Sequence, residues 1–331
     1  MQVASDNDEP YNMILLLGLT GSGKSFFINK LAKDAVIEGP GLKSETQRCK
    51  VVRMKVGNQY VAIVDTPGFD DTKRTDAEIL EEIVQFLVFQ YTLGIPLKGI
   101  IYMHRIIDVK MQGTSQRYFE MFRRICGEKN FPNVVLLTTM WDQLKDEGVG
   151  LRRDQELRDD FWNKMEEMGS QIRSFDGSEA MAEAIICRLM RKKSIVLDIQ
   201  RELVDQDMAL DQTNAGKLLL PRLEDRMRET AVTLRTLDAD ISSSHNSRDV
   251  ARRSQLLQQR AEVSERRERD VRSRDRLKSK PARELAPQIE QAKNARLEKW
   301  RNRVQIFAAL LGLAITATVQ LILPLAGVAI T

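Results

Sequence analysis

The feature that most constrains this chain is an uncharged apolar run, Met13 to Leu17, that passes directly into Gly18-Leu19-Thr20-Gly21-Ser22-Gly23-Lys24-Ser25 and then into an amphipathic stretch from Phe26 to Ala35. Strand, glycine loop and helix in that order and at that spacing make a Walker A motif. Successive backbone N–H groups must turn inward around phosphate oxygens, and a Cβ at the glycine positions would obstruct that turn; Gly21 and Gly23 supply the freedom. Lys24 can then reach the β- and γ-phosphates, the Ser25 hydroxyl can ligate Mg2+, and the start of the helix adds partial positive charge. Gly18, Thr20, Gly21, Ser22, Gly23, Lys24, Ser25 and Phe26 are the nucleotide-contacting candidates at this end.

A second apolar run, Tyr60 to Val64, leads into Asp65-Thr66-Pro67-Gly68-Phe69-Asp70-Asp71. An acid at the end of a strand can hold Mg2+ through water, and the Gly68 N–H can meet the γ-phosphate. Between the two motifs lies a loop-like stretch, Gly39 to Thr46. Its hydroxyls on Ser44 and Thr46 are candidates for a switch residue that closes on the metal, Thr46 being nearer the following strand. The metal set read from sequence is therefore Ser25, Thr46 and Asp65. A further strand, Val134 to Thr138, runs into Thr139-Met140-Trp141-Asp142. The Asp142 carboxylate can accept from both the ring N–H and the exocyclic amine of guanine, whereas adenine would leave that acceptor unpaired. Met140 stands where a lysine is usual, which removes a cation but keeps an apolar stem able to lie on the purine. For the ribose-side base loop, Ser174 to Asp176 offers only its position.

Read together, Gly18 to Ser25, Asp65 to Gly68 and Thr139 to Asp142 resemble the septin-like P-loop GTPases, closest to the immunity-associated GIMAP or AIG-type group, to which the Toc GTPases of chloroplast import are also similar. The resemblance spans about residues 11 to 190. It implies an α/β, three-layer GTPase domain with a mainly parallel sheet, bound to GTP or GDP with Mg2+. Ser44 to Cys49 looks like the group's switch I run, which favours Thr46. His104-Arg105-Ile106-Ile107-Asp108 occupies the place of a basic box from which an arginine, in relatives, crosses a dimer interface to the partner's phosphates; Arg105 is the matching position. Its alternative is a surface arginine paired with Asp108. Phe69 stands where many small GTPases carry a water-orienting glutamine, so slow turnover is expected unless a neighbour supplies Arg105 or His104. The catalytic candidates are Lys24, Thr46, Gly68 and Arg105.

Beyond about residue 178 the glycine, proline and aspartate punctuation gives way to Arg, Glu, Gln and Leu, which reads as long helices. Leu220, Leu223, Met227, Leu234, Leu237 and Ile241 step alternately by threes and fours, with Thr230 in one slot, as a heptad seam does. The seam breaks at Ser242 to Ser247 and resumes through Val250, Leu257 and Val263 before Pro281 and Pro287. Such an arm folds on itself or pairs with a second chain. Residues 248–303 hold 18 Lys or Arg against 9 Asp or Glu. The arginines are interleaved with acids and Trp300 is the segment's aromatic, so a solvated helix face is preferred and no nucleic-acid partner is expected.

Val304 to Leu323 is uncharged over 20 positions, flanked by Lys299, Arg301 and Arg303. At about 1.5 Å per residue it matches a bilayer core, the pattern of a tail anchor with the remainder on the cytosolic face of a membrane. The alternative is a helix buried against the protein, which would leave the chain cytoplasmic. Cys49, Cys126 and Cys187 lack metal-ligand spacing and fit reduced thiols. The polar, acidic start has no signal-peptide pattern, and Gln2 excludes myristoylation there. The expected organisation is a disordered 1–10, a GTPase domain over 11–190, a helical, coiled-coil-like arm over 191–303 and a hydrophobic tail anchor over 304–330. A homodimer or oligomer through the nucleotide face is expected to stimulate hydrolysis; the competing expectation is a hydrolysis-poor scaffold that oligomerises through the arm.

Overall fold

A computed structural model describes residues 12–32, 49–71, 74–109, 111, 113–243 and 250–295. Ser44, Thr46, residues 1–10 and the apolar tail lie outside these residues. The chain divides into two compact units, Met1–Glu284 and Leu285–Thr331; in the second, residues 286–295 are helical. Among the described residues no helix is long and apolar enough to cross a membrane.

Six strands form one sheet in the order β2-β3-β1-β4-β5-β6. They are β1 (Asn12–Gly18), β2 (Lys50–Val56), β3 (Gln59–Asp65), β4 (Leu97–Arg105), β5 (Val134–Thr139) and β6 (Gln171–Ser174). All pairings are parallel except β2 with β3, which the two-residue turn at Gly57 and Asn58 joins as an antiparallel hairpin. Gly57 sits at φ 58°, the backbone such a tight turn demands. Central strands covered on both faces need apolar side chains at nearly every position, and β1 and β5 are buried almost throughout. The edge strand β2 alternates at its end instead, with Met54 and Val56 inward and Arg53 and Lys55 outward.

Helices α1 (Lys24–Leu31), α2 (Asp76–Thr92), α3 (Thr114–Cys126), α4 (Glu147–Glu156), α5 (Asn163–Glu167) and α6 (Glu179–Met190) flank the sheet. On one face α1 and α6 pack Phe27, Ile28, Ile185, Ile186 and Leu189 against the side chains of β1, β3, β4 and β5. The other face is aromatic: Tyr102 of β4 stacks on Phe122 at 4.6 Å, and Phe119 leans on both Tyr102 and the fully buried Trp162. Alternation along a strand places neighbours on opposite faces, so Met103 joins the α1–α6 core while Tyr102 and His104 look the other way.

After α6 the chain stays on the α/β domain. Ile195 bridges to Leu97, and the Asn130 and Asn133 amides donate to the carbonyls of Val196 and Lys193. Gln200, from the short helix α7 (Asp198–Gln200), is buried and donates to Leu87 O and Gln90. The elongated part begins at α8 (Leu220–Ser243), which packs against α9 (Val250–Leu277); a last turn, α10 (Pro281–Glu284), begins at a proline, where no intrahelical N–H is required. The two long helices form a hairpin within one chain. Its α8 face is the anticipated seam, with Leu223, Thr230 and Leu237 buried. The α9 face is only partly so: Val263 is half-buried, but Val250 and Leu257 are exposed, and α9 buries Asp270, Ser273 and Leu277. Charge replaces apolar periodicity there, with Arg226 of α8 bound to Asp270 at 2.8 Å and Arg260 bound to Asp238. Helix α9 also returns to α2, where Arg276 meets Glu81 at 2.6 Å and Glu78 at 3.5 Å, and the Ser273 hydroxyl donates to Thr75 Oγ1.

Candidate functional site

In a parallel sheet the carboxyl ends of the strands face one edge, and the loops there are free to carry chemistry. The ends of β1, β3, β4, β5 and β6 bring together Gly18, Asp65, Arg105, Thr139 and Ser174. Gly18 leads into a turn in which Gly21 and Gly23 have φ 74° and 88°, backbone that a side chain disfavours, before α1 opens at Lys24. Gly23 offers no side-chain cap, so the first N–H groups of α1 are left to face the loop. Ser22 is buried, and neither Ser22 Oγ nor Thr20 Oγ1 has a hydrogen-bond partner among the described residues.

The Lys24 ammonium is buried under the loop and donates to Leu19 O at 2.9 Å and Gly18 O at 3.3 Å. Burial lowers its pKa to about 8, opposed by Asp65 and reinforced by Arg105. Ser25 Oγ donates to Asp65 Oδ2 at 2.9 Å, across 40 residues of sequence. Two hard oxygen donors at one point, beside a buried cation and inward-turned backbone, suit an Mg2+ ion that keeps much of its water.

The second motif is strapped to the first by backbone. Thr20 N–H donates to Phe69 O at 2.8 Å, and Phe69 N–H to Gly18 O at 3.2 Å. A Cβ on Gly68 would lie 2.5 Å from the Thr20 backbone, so only glycine fits. Phe69 is fully buried and stacks on Tyr118 at 5.1 Å. Its side chain therefore belongs to the core beneath the loop. The following Asp70 has φ 66°, and burial together with Asp76 pushes its carboxyl upward. Thr75 caps α2 in a reciprocal box with Glu78.

Arg105 lies beside the glycine loop, its Nη1 about 3.4 Å from where a Gly21 Cβ would stand. It is paired at both ends with Asp108, at 3.1 Å and 3.0 Å, and its side chain is 32% exposed. His104 points to the opposite face, buried edge-on to Trp162, and that burial lowers its pKa to about 4. It does not meet the phosphate edge in this arrangement.

Thr139 Oγ1 donates to Ser22 O at 3.0 Å, so the end of β5 holds the glycine loop directly. Met140 adopts φ 64°, and Asp142 follows, exposed, in a short turn. The Trp141 indole N–H donates to Thr138 Oγ1. After β6, Phe175 packs on Phe27 and near Phe26, and Gly177 at φ 77° adjoins Phe26. The stretch from Ser174 to Asp176 thus lies next to α1, at the same edge as Asp142. Phe26 itself is 41% exposed.

This sheet order, glycine loop and strand-end acid define a P-loop α/β domain. The chain belongs to the AIG1 family, whose pattern matches residues 12–185. Among curated proteins it is similar to translocase of chloroplast 90 of Arabidopsis thaliana, with 26% identity over 126 residues, covering 38% of this chain and 16% of that protein. The chain thus spans about a sixth of that relative's length. Solved structures similar to it include Toc33 from Arabidopsis thaliana with GDP and Mg2+, at 18% identity and a TM-score of 0.45, covering 58% of this chain and 89% of that one. A dimerisation-deficient mutant of the same protein has 19% identity and a TM-score of 0.44, covering 57% and 89%.

Proposed function

We propose that this chain binds GTP or GDP with Mg2+ and hydrolyses GTP slowly to GDP and phosphate. The observation that carries the reading is the contact of Ser25 with Asp65 beside the buried Lys24. It sets the two ends of the proposed phosphate and metal site at hydrogen-bond distance. In this reading Gly18 to Phe26 surround the phosphates, and Lys24 exchanges its carbonyl partners for phosphate oxygens and holds its proton. Ser25 and Asp65, with Thr46 of the switch I run, would hold the Mg2+, which would supply positive charge against the phosphate oxygens. Gly68 N–H meets the γ-phosphate, Asp142 selects guanine, and Thr139 acts by fixing Ser22. Membership of the AIG1 family supports the guanine assignment.

Catalysis in this proposal needs an added group, because Phe69 is turned into the core and His104 faces away. Arg105 is the candidate: it borders the loop, and it becomes available when an approaching second chain displaces Asp108. Hydrolysis per subunit should therefore rise with protein concentration and collapse in Lys24→Ala and Arg105→Ala, while ATP fails to compete for binding. A hydrolysis-poor scaffold is favoured by the same closed Arg105–Asp108 pair; a flat, negligible rate with intact guanine-selective binding would decide for it. The proposed organisation is a nucleotide domain over 11–190, an arm over 191–303 whose first residues pack back on that domain before α8 begins at Leu220, and a membrane anchor over 304–330 facing the cytosol. The full chain should stay with membranes through alkaline carbonate extraction, and deleting 304–331 should abolish that association.

A further inference from the structure

A second charged feature lies away from the phosphate edge. A cavity of about 300 Å³ opens where the hairpin meets the start of α2. Arg74 and Arg117 reach it from the α/β domain, and Arg222, Arg226, Arg266 and Arg269 from α8 and α9; Asp76 and Asp270 are the acids on its wall. Six guanidinium groups and two carboxylates line this small space, and from outside it Glu82 reaches Arg74 and Glu265 reaches Arg269, each at 4.0 Å. Asp76 is engaged by Arg117 and the Tyr118 hydroxyl, and Asp270 by Arg226 through Oδ1, its Oδ2 being buried without a partner among the described residues. Arg222 and Arg266 have no ion pair or hydrogen bond among the described residues, and Arg117 Nε is buried without an acceptor. Arg222 and Arg266 are thus the cations left over beside four paired ones, and like charges held this close repel unless further anionic oxygens lie between them.

We propose that this cavity binds a compact, multiply phosphorylated small molecule, whose phosphates bridge the hairpin arginines to Arg74 and Arg117. Three observations carry it. The excess charge is concentrated in a concave space at the small end of ligand-site volumes, which admits a few phosphate groups and no folded partner. The lining cations are arginines without exception, the side chain suited to forked recognition of phosphate oxygens. Two of those arginines, Arg222 and Arg266, have no carboxylate partner among the described residues although they line the same space. Bound there, the ligand would fasten α9 to α2, the helix that follows Gly68 and Phe69.

The test titrates the full chain, in detergent, with inositol hexakisphosphate and separately with inorganic tripolyphosphate, by calorimetry at physiological salt. Wild type, Lys24→Ala, Arg222→Ala with Arg266→Ala, and Arg267→Ala are compared. Lys24→Ala removes the cation of the phosphate loop, so binding that survives it is independent of the nucleotide site and of its proposed function. Arg267 neighbours Arg266 on α9 but lines a different depression, so it reports the effect of lost charge alone. Saturable binding retained in Lys24→Ala and Arg267→Ala, and weakened at least tenfold in the double variant, is expected. Equal weakening by Arg267→Ala, loss in Lys24→Ala, or no binding by wild type would each overturn the proposal. Vesicles bearing a phosphoinositide, added as competitor, separate a lipid headgroup from a soluble source: displacement of the soluble probe by vesicles assigns the same site to the lipid.

Discussion

The glycine loop and the helical hairpin are held by opposite means. Around the loop, contacts are backbone to backbone or from buried side chains, as in Thr20 N–H to Phe69 O and Thr139 to Ser22 O. Between α8, α9 and α2 they are largely arginine–carboxylate pairs at partly exposed positions. The first kind fails through steric intrusion and is indifferent to salt. The second is soft, screened and reversible. A site that must hold phosphates rigidly is thus joined to an appendage whose docking can change with solution conditions.

The largest break in this contrast should come from Gly68→Ala. Its Cβ would meet the Thr20 backbone at 2.5 Å, so the two motifs must separate. We expect a loss of about 2–4 kcal/mol of stability, read by denaturant unfolding, with nucleotide binding abolished. Next, Lys24→Met should reduce nucleotide affinity by roughly a hundredfold, since the buried cation proposed to meet the phosphates is lost. It should also alter the pH dependence of the ligand-free chain. Lys24 gives up its proton near pH 8 when folded but near 10.5 when unfolded, so the unfolded state binds more protons across that window. Its contribution to stability therefore rises from pH 8 to 10.5, and Lys24→Met should remove that rise. A slope unchanged by the mutation would count against the burial of the ammonium.

The hairpin provides the smaller effects. Arg226→Ala leaves the nearly buried Asp270 without its cation and should cost about 1–2 kcal/mol. Hydrogen exchange should quicken in 250–277 while 12–18 is unaffected; equal acceleration in both would mean that the two regions share one cooperative unit. Smallest of all, Asp238→Ala breaks an exposed pair with Arg260 and should cost under about 0.5 kcal/mol.

The same contrast explains what the sequence could disclose. The phosphate edge is legible because backbone geometry dictates residue type: glycines at positive φ, Gly68 against Thr20, an acid ending β3. The apolar strands read for the same reason, since burial on both faces leaves little choice. By contrast, β6 has four residues of which Ile172 is buried, and so carries no period to detect. The Thr75 to Glu78 cap was present as a pattern, but a loop rich in acids obscured it. On α9, Val250 and Leu257 suggest a seam that the structure leaves exposed, while the helix is held further along by pairs of Asp270 with Arg226 and of Arg276 with Glu78 and Glu81. Pairing by charge has no fixed spacing. The stacking of Phe69 on Tyr118 joins residues 49 positions apart, and a missing glutamine gave no hint that its replacement was packed inward.

The bond from Trp141 to Thr138 makes the chain its own optical gauge. Trp141 is half-buried between Met140 and the exposed Asp142, whereas Trp162 is sealed in the aromatic core. With the third tryptophan replaced, Trp300→Phe, a purine settling against Met140 as proposed would change the polarity around Trp141 and leave Trp162 constant. Emission from the unlabelled protein would then follow base docking in real time, separately from phosphate capture at Lys24.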